Sequence, residues 1–293
     1  MRRQFFLLFL VNLFFLSVLM VAHAEFPLHI EVFPRIVRQG TVCLIRASGS
    51  ASLQSIYVMF RGERFSMDPG LQHGTYEGLI GIDMSTPPAP YEIKVVGTDG
   101  DGKVFSRSLS LKVEKVDFGI EKLSLPSYMV DLDAKTLERV NREAKQVKAV
   151  FQAFRNERIW RGAFIRPVEG QLSSTFGVIR IINGKHRGMH TGIDLGAEEG
   201  TPVKACNSGV VVLVDELFLS GKSIVLDHGR GLYSMYFHFS ESLVMKGDSL
   251  STGAILGRVG STGRSTKPHL HWGIRMNGAR VDPLSLLKIE TYH

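Results

Sequence analysis

Apolar and polar residues alternate along Leu28-His29-Ile30-Glu31-Val32, along Tyr91-Glu92-Ile93-Lys94-Val95 and along Ser108-Leu109-Ser110-Leu111-Lys112-Val113. That period of two marks strands with one buried face. Thr98-Asp99-Gly100-Asp101-Gly102, between two such runs, is a hairpin signal. Residues 25–117 therefore predict an N-terminal, immunoglobulin-like β-sandwich. It carries no catalytic grouping and is expected to act as a binding or spacing module. The period changes over residues 133–154, where Leu137, Val140, Ala144, Val147, Phe151 and Phe154 recur at three- and four-residue steps. They share one helix face, with Asp133 placed as N-cap. Arg139, Arg142, Lys145 and Lys148 fall between the apolar positions and read as the solvated side of a docked helix, so residues 118–163 form a helical connector. From 164 to 293 the pattern returns to short strands broken by glycine, giving a mainly β chain.

Ahead of the first strand the pattern is of another kind. Arg2 and Arg3 precede an almost wholly apolar run from Phe5 to Val21, and Ala22-His23-Ala24 places small residues where a signal peptidase reads them. Residues 1–24 are expected to be a signal peptide cut before Glu25. The apolar run is slightly short for a full span of about 20 residues; an uncleaved leader would instead anchor the chain in a membrane. Either way the protein is expected to be exported, to the periplasm or cell envelope.

Composition changes this picture little. The chain has 293 residues, 44% of them hydrophobic and 22% charged, which is globular and leaves room for two domains. Its formal net charge of +7 falls to +5 without the two leader arginines. That balance is compatible with loose association with anionic polymers or lipid head groups, and no nucleic-acid partner is expected. The two cysteines, Cys43 and Cys206, sit in apolar, strand-like stretches of different domains and read as buried free thiols.

Candidate chemistry gathers in the last segment. Six of the ten histidines lie between residues 164 and 287. In His190-Thr191-Gly192-Ile193-Asp194, an extended backbone projects His190 and Asp194 to one face, with a glycine between them to let the chain bend. His269-Leu270-His271 opens a strand, so both imidazoles share a face while Leu270 turns to the core. Two adjacent imidazoles are costly to bury without partners. Together these segments hold more ligands than the three that a catalytic zinc takes from protein, and the residues alone leave open which histidine of the pair ligates. Neither segment contains a thiolate, which excludes a closed cysteine-rich site. His238, in Tyr236-Phe237-His238-Phe239, could face the same groove and exchange a proton near neutral pH. His228 reads as structural, and His186, between Lys185 and Arg187, as solvated.

Taken in order, these segments resemble the lysostaphin/LytM-type zinc metallopeptidases, which cut peptidoglycan peptides. The resemblance covers about 120 residues. It runs from Ser174-Thr175-Phe176-Gly177 through His190-Thr191-Gly192-Ile193-Asp194-Leu195, Gly200-Thr201-Pro202-Val203, Ser208-Gly209-Val210-Val211, Asp227-His228-Gly229, Tyr236-Phe237-His238, Gly260-Ser261-Thr262-Gly263 and Pro268-His269-Leu270-His271 to Val281-Asp282-Pro283. It implies one zinc ion per chain held by His190, Asp194 and His271. It also implies His238 and His269 as catalytic residues flanking the water that the metal activates. The implied fold is a small antiparallel β core with a narrow groove, and the implied partner is peptidoglycan, with envelope proteins as further partners. The alternative is a catalytically inactive relative that binds the wall and activates an amidase; retention of all five positions favours the enzyme. Two positions depart from the family pattern. Lys267 replaces a glycine before the Pro-His-Leu-His run, and Phe237 replaces a small residue before His238. Both bear on groove shape.

Overall fold

The computed structural model describes residues 28–49 and 53–289, with residues 186 and 187 described by backbone only. The expected signal peptide and the His186 side chain lie outside what is described.

The alternating segments form two sheets. One orders the strands His29–Phe33, Val42–Ser48, Thr75–Gly81 and Asp68–Pro69; the other orders Val37–Arg38, Val104–Glu114, Pro90–Asp99, Leu53–Phe60 and Glu63–Ser66. The hairpin expected at 98–102 closes with Thr98 opposite Val104. The period-2 pattern is kept: Ile93 and Val95 are fully buried while Glu92 and Lys94 face solvent. Ile45, Ile80, Val58 and Val113 from the two sheets meet in one core, which also takes Cys43.

The helix runs over Ala134–Val150, and the Asp133 carboxylate accepts from the Thr136 N–H at 2.7 Å. It stops four residues short of Phe154, where Gln152 and Ala153 donate to Ala149 and Val150 and tighten the last turn. The early end turns the chain so that Phe151 meets the Tyr233 ring edge-on, with centroids 5.4 Å apart. The packed face is correspondingly narrower than the apolar spacing predicts. Val147, Val150 and Phe151 pack on Leu213, Leu217, Tyr233 and Met235, whereas Leu137 and Phe154 are 49% and 62% exposed. Polar contacts supply the rest of the docking. Glu143 accepts from Phe218 N at 2.8 Å and Gln146 donates to Asp215 at 2.7 Å.

The last segment folds as a ten-stranded sheet. Its main path orders Gln171–Ser174, Gly192–Gly196, His269–Met276, Leu232–Ser242, Gly221–Gly229, Gly209–Leu217 and Ser249–Leu250. One face buries Ile193, Leu195, Tyr236, Leu270 and Trp272, with Cys206 among them. The connector adds a strand of its own: Ile120–Leu123 pairs in parallel with Ile179–Ile182, itself antiparallel to Lys185–Met189.

The two halves are welded rather than tethered. Val42, Leu44, Leu79 and Met84 of the sandwich enter the core of the large sheet. Asp282 N donates to Gly40 O at 2.8 Å, and Val42 N to Ser285 Oγ at 3.0 Å. Asp83 takes a fork of bonds from Arg280, at 3.0 Å from Nε and 2.7 Å from Nη2, and a third from Arg280 N at 2.7 Å. Because Asp83→Ala removes all three bonds and leaves the half-buried guanidinium only the Ser85 hydroxyl at 3.2 Å, it should cost about 2–4 kcal/mol. Chemical denaturation monitored by tryptophan fluorescence measures this loss.

Candidate metal centre

Strand register builds the centre. Gly192–Gly196 pairs with His269–Met276 so that Asp194 lies opposite His271, and His271 in turn lies opposite Phe237 on the next strand. His190 enters from the residues just before, its backbone clamped by bonds His190 N to Val178 O (2.9 Å) and Gly177 N to His190 O (2.8 Å). Three donor atoms then converge. His190 Nε2 lies 2.9 Å from His271 Nδ1 and 3.0 Å from Asp194 Oδ1, and His271 Nδ1 lies 2.9 Å from the same oxygen. All three residues are buried, and among the described residues they form the group suited to a metal ion.

The donor set itself asks for a cation. His190 Nδ1 lies 2.9 Å from the Thr175 carbonyl, which can only accept, so the neutral ring carries its proton there and aims a lone pair inward. His271 Nδ1 and the carboxylate aim at the same point. One proton cannot satisfy three lone pairs; a divalent ion does. Zinc bonded at about 2.0–2.1 Å in a tetrahedron sets its donors roughly 3.3 Å apart, close to the spacing found. Burial pushes the Asp194 carboxyl up, but the adjoining His190 and His271 rings outweigh it and hold it well below the usual carboxylate range. Burial also lowers His271 to about 4, against its bond to Asp194, so the ring is neutral at pH 7, the form that binds metal.

Gly192 has a different purpose from a bend. A Cβ there would lie 2.7 Å from His271 Nε2 and 2.5 Å from the Trp272 carbonyl oxygen, so the glycine makes room for the His271 ring. The ring's other face is covered by Phe237, stacked at 5.1 Å and 5°.

His238 and His269 close the open side. His238 sits at φ +69°, in a bulge where Phe237 and His238 interrupt the pairing between Lys222–Phe239 and Ile224–Tyr236. The bulge turns its ring into the centre. Its Nδ1 donates to the Thr262 carbonyl at 2.7 Å, and burial, reinforced by the neighbouring His269 and His271, lowers it to about 3. His269 Nδ1 donates to the Lys267 carbonyl at 2.9 Å, its Nε2 lies 3.8 Å from Asp194 Oδ1, and the two rings are 4.7 Å apart. Lys267 thus contributes a backbone oxygen to the centre. Beyond Phe237 and Thr191 a groove of about 720 Å³ opens between sheet and helix, walled by Val140, Ala144, Val147 and Phe151.

Sequence reasoning did not find Arg180, whose Nη2 donates to Asp194 Oδ2 at 2.5 Å, nor its partners Ser174 and Glu121. The available signal was a lone arginine in the apolar run Ile179-Arg180-Ile181-Ile182. His228, by contrast, is structural. It is fully buried, with Nδ1 donating to Ser208 O at 2.7 Å and Nε2 2.7 Å from the Ser234 hydroxyl. Burial lowers its pKa from 6.5 to about 4. The unfolded chain therefore binds a proton that the fold resists, so its contribution is present above pH 6.5 and lost as pH falls towards 4. That loss amounts to about 3 kcal/mol. His228→Gln should flatten the acid slope of stability by one proton in denaturant titrations between pH 6.5 and 4.

A buried His-Asp-His triangle, open on one side to two further imidazoles at the face of a β-sheet, has the composition of a hydrolytic metal centre. Residues 188–283 match the family model described as Peptidase family M23 and form a LytM-type M23 domain. It is 41% identical over 98 residues to the "DD-carboxypeptidase/endopeptidase Mpg" of Neisseria meningitidis serogroup B, covering 33% of this chain and 23% of that one. It is 36% identical over 123 residues to the "Murein hydrolase activator EnvC" of Escherichia coli, covering 42% and 28%. The chain thus spans about a quarter of the length of these relatives. A solved structure from Pseudomonas aeruginosa assigned to peptidase M23 is similar along nearly the whole chain. It is 26% identical, with a TM-score of 0.64 over 87% of this chain and 95% of that one.

Proposed function

We propose that this chain is an exported zinc endopeptidase that hydrolyses peptide bonds of bacterial peptidoglycan, in stem peptides or cross-links. His190, Asp194 and His271 are its metal ligands, and His238 and His269 its catalytic residues. The observation that carries this is the meeting of two imidazole nitrogens and a carboxylate oxygen at 2.9–3.0 Å beneath two further imidazoles. When bound, zinc supplies Lewis acidity at neutral pH and a position open to substrate. The chain's own residues do the rest. His238 and His269 spend their Nδ1 protons on carbonyls, so each keeps the lone pair on Nε2. An imidazole in that tautomer takes a proton from the attacking water and, once protonated, returns it to the leaving amine or donates to the developing oxyanion. The peptide substrate class follows from the family, and the wall from the printed names of the relatives. Envelope localisation belongs to the same proposal. So does a division into a leader (1–24), an immunoglobulin-like sandwich (25–117), a connector (118–163) and a catalytic domain (164–293).

The test is incubation of the purified, zinc-loaded chain with isolated peptidoglycan, with and without a chelator. Chelator-sensitive release of muropeptides with cut peptide bonds is expected. Intact sacculi, together with stimulation of an added amidase, would replace the enzyme with an activator of the EnvC kind.

A further inference from the structure

The metal centre does not end at the catalytic domain. Asp194 directs Oδ1 at the two histidines and Oδ2 at Arg180 Nη2, 2.5 Å away. The same nitrogen donates to Ser174 Oγ at 2.9 Å, and Arg180 Nε donates to Glu121 Oε2 at 2.9 Å. Ser174 Oγ donates in turn to that Glu121 oxygen at 2.9 Å and lies 3.3 Å from His190 Nδ1. Glu121 belongs to the connector strand Ile120–Leu123, which lies against Ile179–Ile182 with Glu121 directly opposite Arg180. It lies 67 residues before the start of the family match at residue 188.

We propose that Glu121 and Arg180 are positioning residues for the metal, acting through Asp194, so that the connector strand completes the metal centre. This rests on His190, Asp194 and His271 being the ligands. Two physical effects meet here. A single Nη2–H bond keeps Oδ2 occupied, so that Oδ1 alone is offered to the ion, while Nε, bonded to Glu121, fixes the guanidinium that makes it. A guanidinium alone would also draw charge from a ligand and repel a dication. Glu121, bonded to the same guanidinium, cancels that charge, so Arg180 orients Asp194 with little electrostatic penalty. The parallel strand pairing explains why a connector segment is held there: it sets Glu121 in register with Arg180.

The two effects give a signature that packing alone does not. In the full chain, the zinc dissociation constant is measured at pH 7 by competition with a chromophoric chelator. Arg180→Met should bind zinc about 10–100-fold more weakly, the usual scale for groups behind a ligand. Arg180→Lys, which keeps the charge but cannot hold Asp194 and Glu121 with the two sides of a planar guanidinium, should fall between. Glu121→Gln, a substitution of the same shape at a site about three-quarters buried, should weaken zinc about tenfold by leaving Arg180 uncompensated. Added to Arg180→Met it should weaken zinc much less than it does alone, because its charge acts on the ligands through the arginine and only the neutral Ser174 hydroxyl offers another path. Wild-type affinity in Arg180→Met, or additive losses in the double variant, would overturn the proposal. Zinc-replete wild-type chain that leaves peptidoglycan intact would sink the endopeptidase reading while leaving this one standing. A wild-type chain that holds no zinc would remove the ligand set beneath both.

Discussion

Replacing His190 or His271 with alanine is expected to abolish zinc retention and, with it, turnover. In the proposed ligand set each ring supplies one of three protein donors, and two donors do not make the three-ligand site of a catalytic zinc. The metal's share of transition-state stabilisation is several kcal/mol, so turnover should fall by at least about three orders of magnitude. The fold should survive, because the rings lie at the sheet face while Ile193, Leu195, Leu270 and Trp272 hold the core from the other side. Metal content by elemental analysis after gel filtration, set beside an unchanged circular-dichroism spectrum, separates loss of metal from loss of structure. A histidine-to-alanine variant that keeps one zinc per chain and full turnover would remove that residue from the ligand set.

How far the sequence foretold this centre depends on the range of each interaction. Strand periodicity fixed the shared face of His269 and His271 and the inward turn of Leu270, because a strand's side-chain direction is purely local. Local spacing also placed Asp133 as the helix cap. What lay between strands was not legible. No periodicity reveals that Asp194 pairs with His271, or that Glu121 pairs with Arg180 across 59 residues. Those facts belong to register, which long-range packing sets. The helix shows the converse limit. Its spacing correctly marked Val147 and Phe151, but it extended the face to Leu137, which is exposed, and to Phe154, which lies beyond the helix end at Val150 and is exposed too. The glycine in His190-Thr191-Gly192 was visible, yet its purpose was not, since only the fold reveals the His271 ring that would strike a Cβ.

His238→Ala and His269→Ala should behave in the opposite way to the ligand variants, keeping zinc while losing about two to four orders of magnitude in turnover, the usual scale for acid–base and oxyanion groups. The structure offers a reason to expect retention. Neither ring enters the 2.9–3.0 Å triangle; His269 approaches no nearer than 3.8 Å to the Asp194 oxygen that closes it. His238 has the further property of φ +69°, a backbone state that histidine adopts more readily than alanine and that is held by the bulge and by bonds from His238 N to Ser220 O and from Nδ1 to Thr262 O. Alanine keeps the first bond and loses the second, so the strand should stay in register while the proton-transfer group disappears. A fall in kcat with KM nearly constant and zinc at one per chain is the expected result. Loss of metal from either variant would move that histidine from proton transfer into the ligand set.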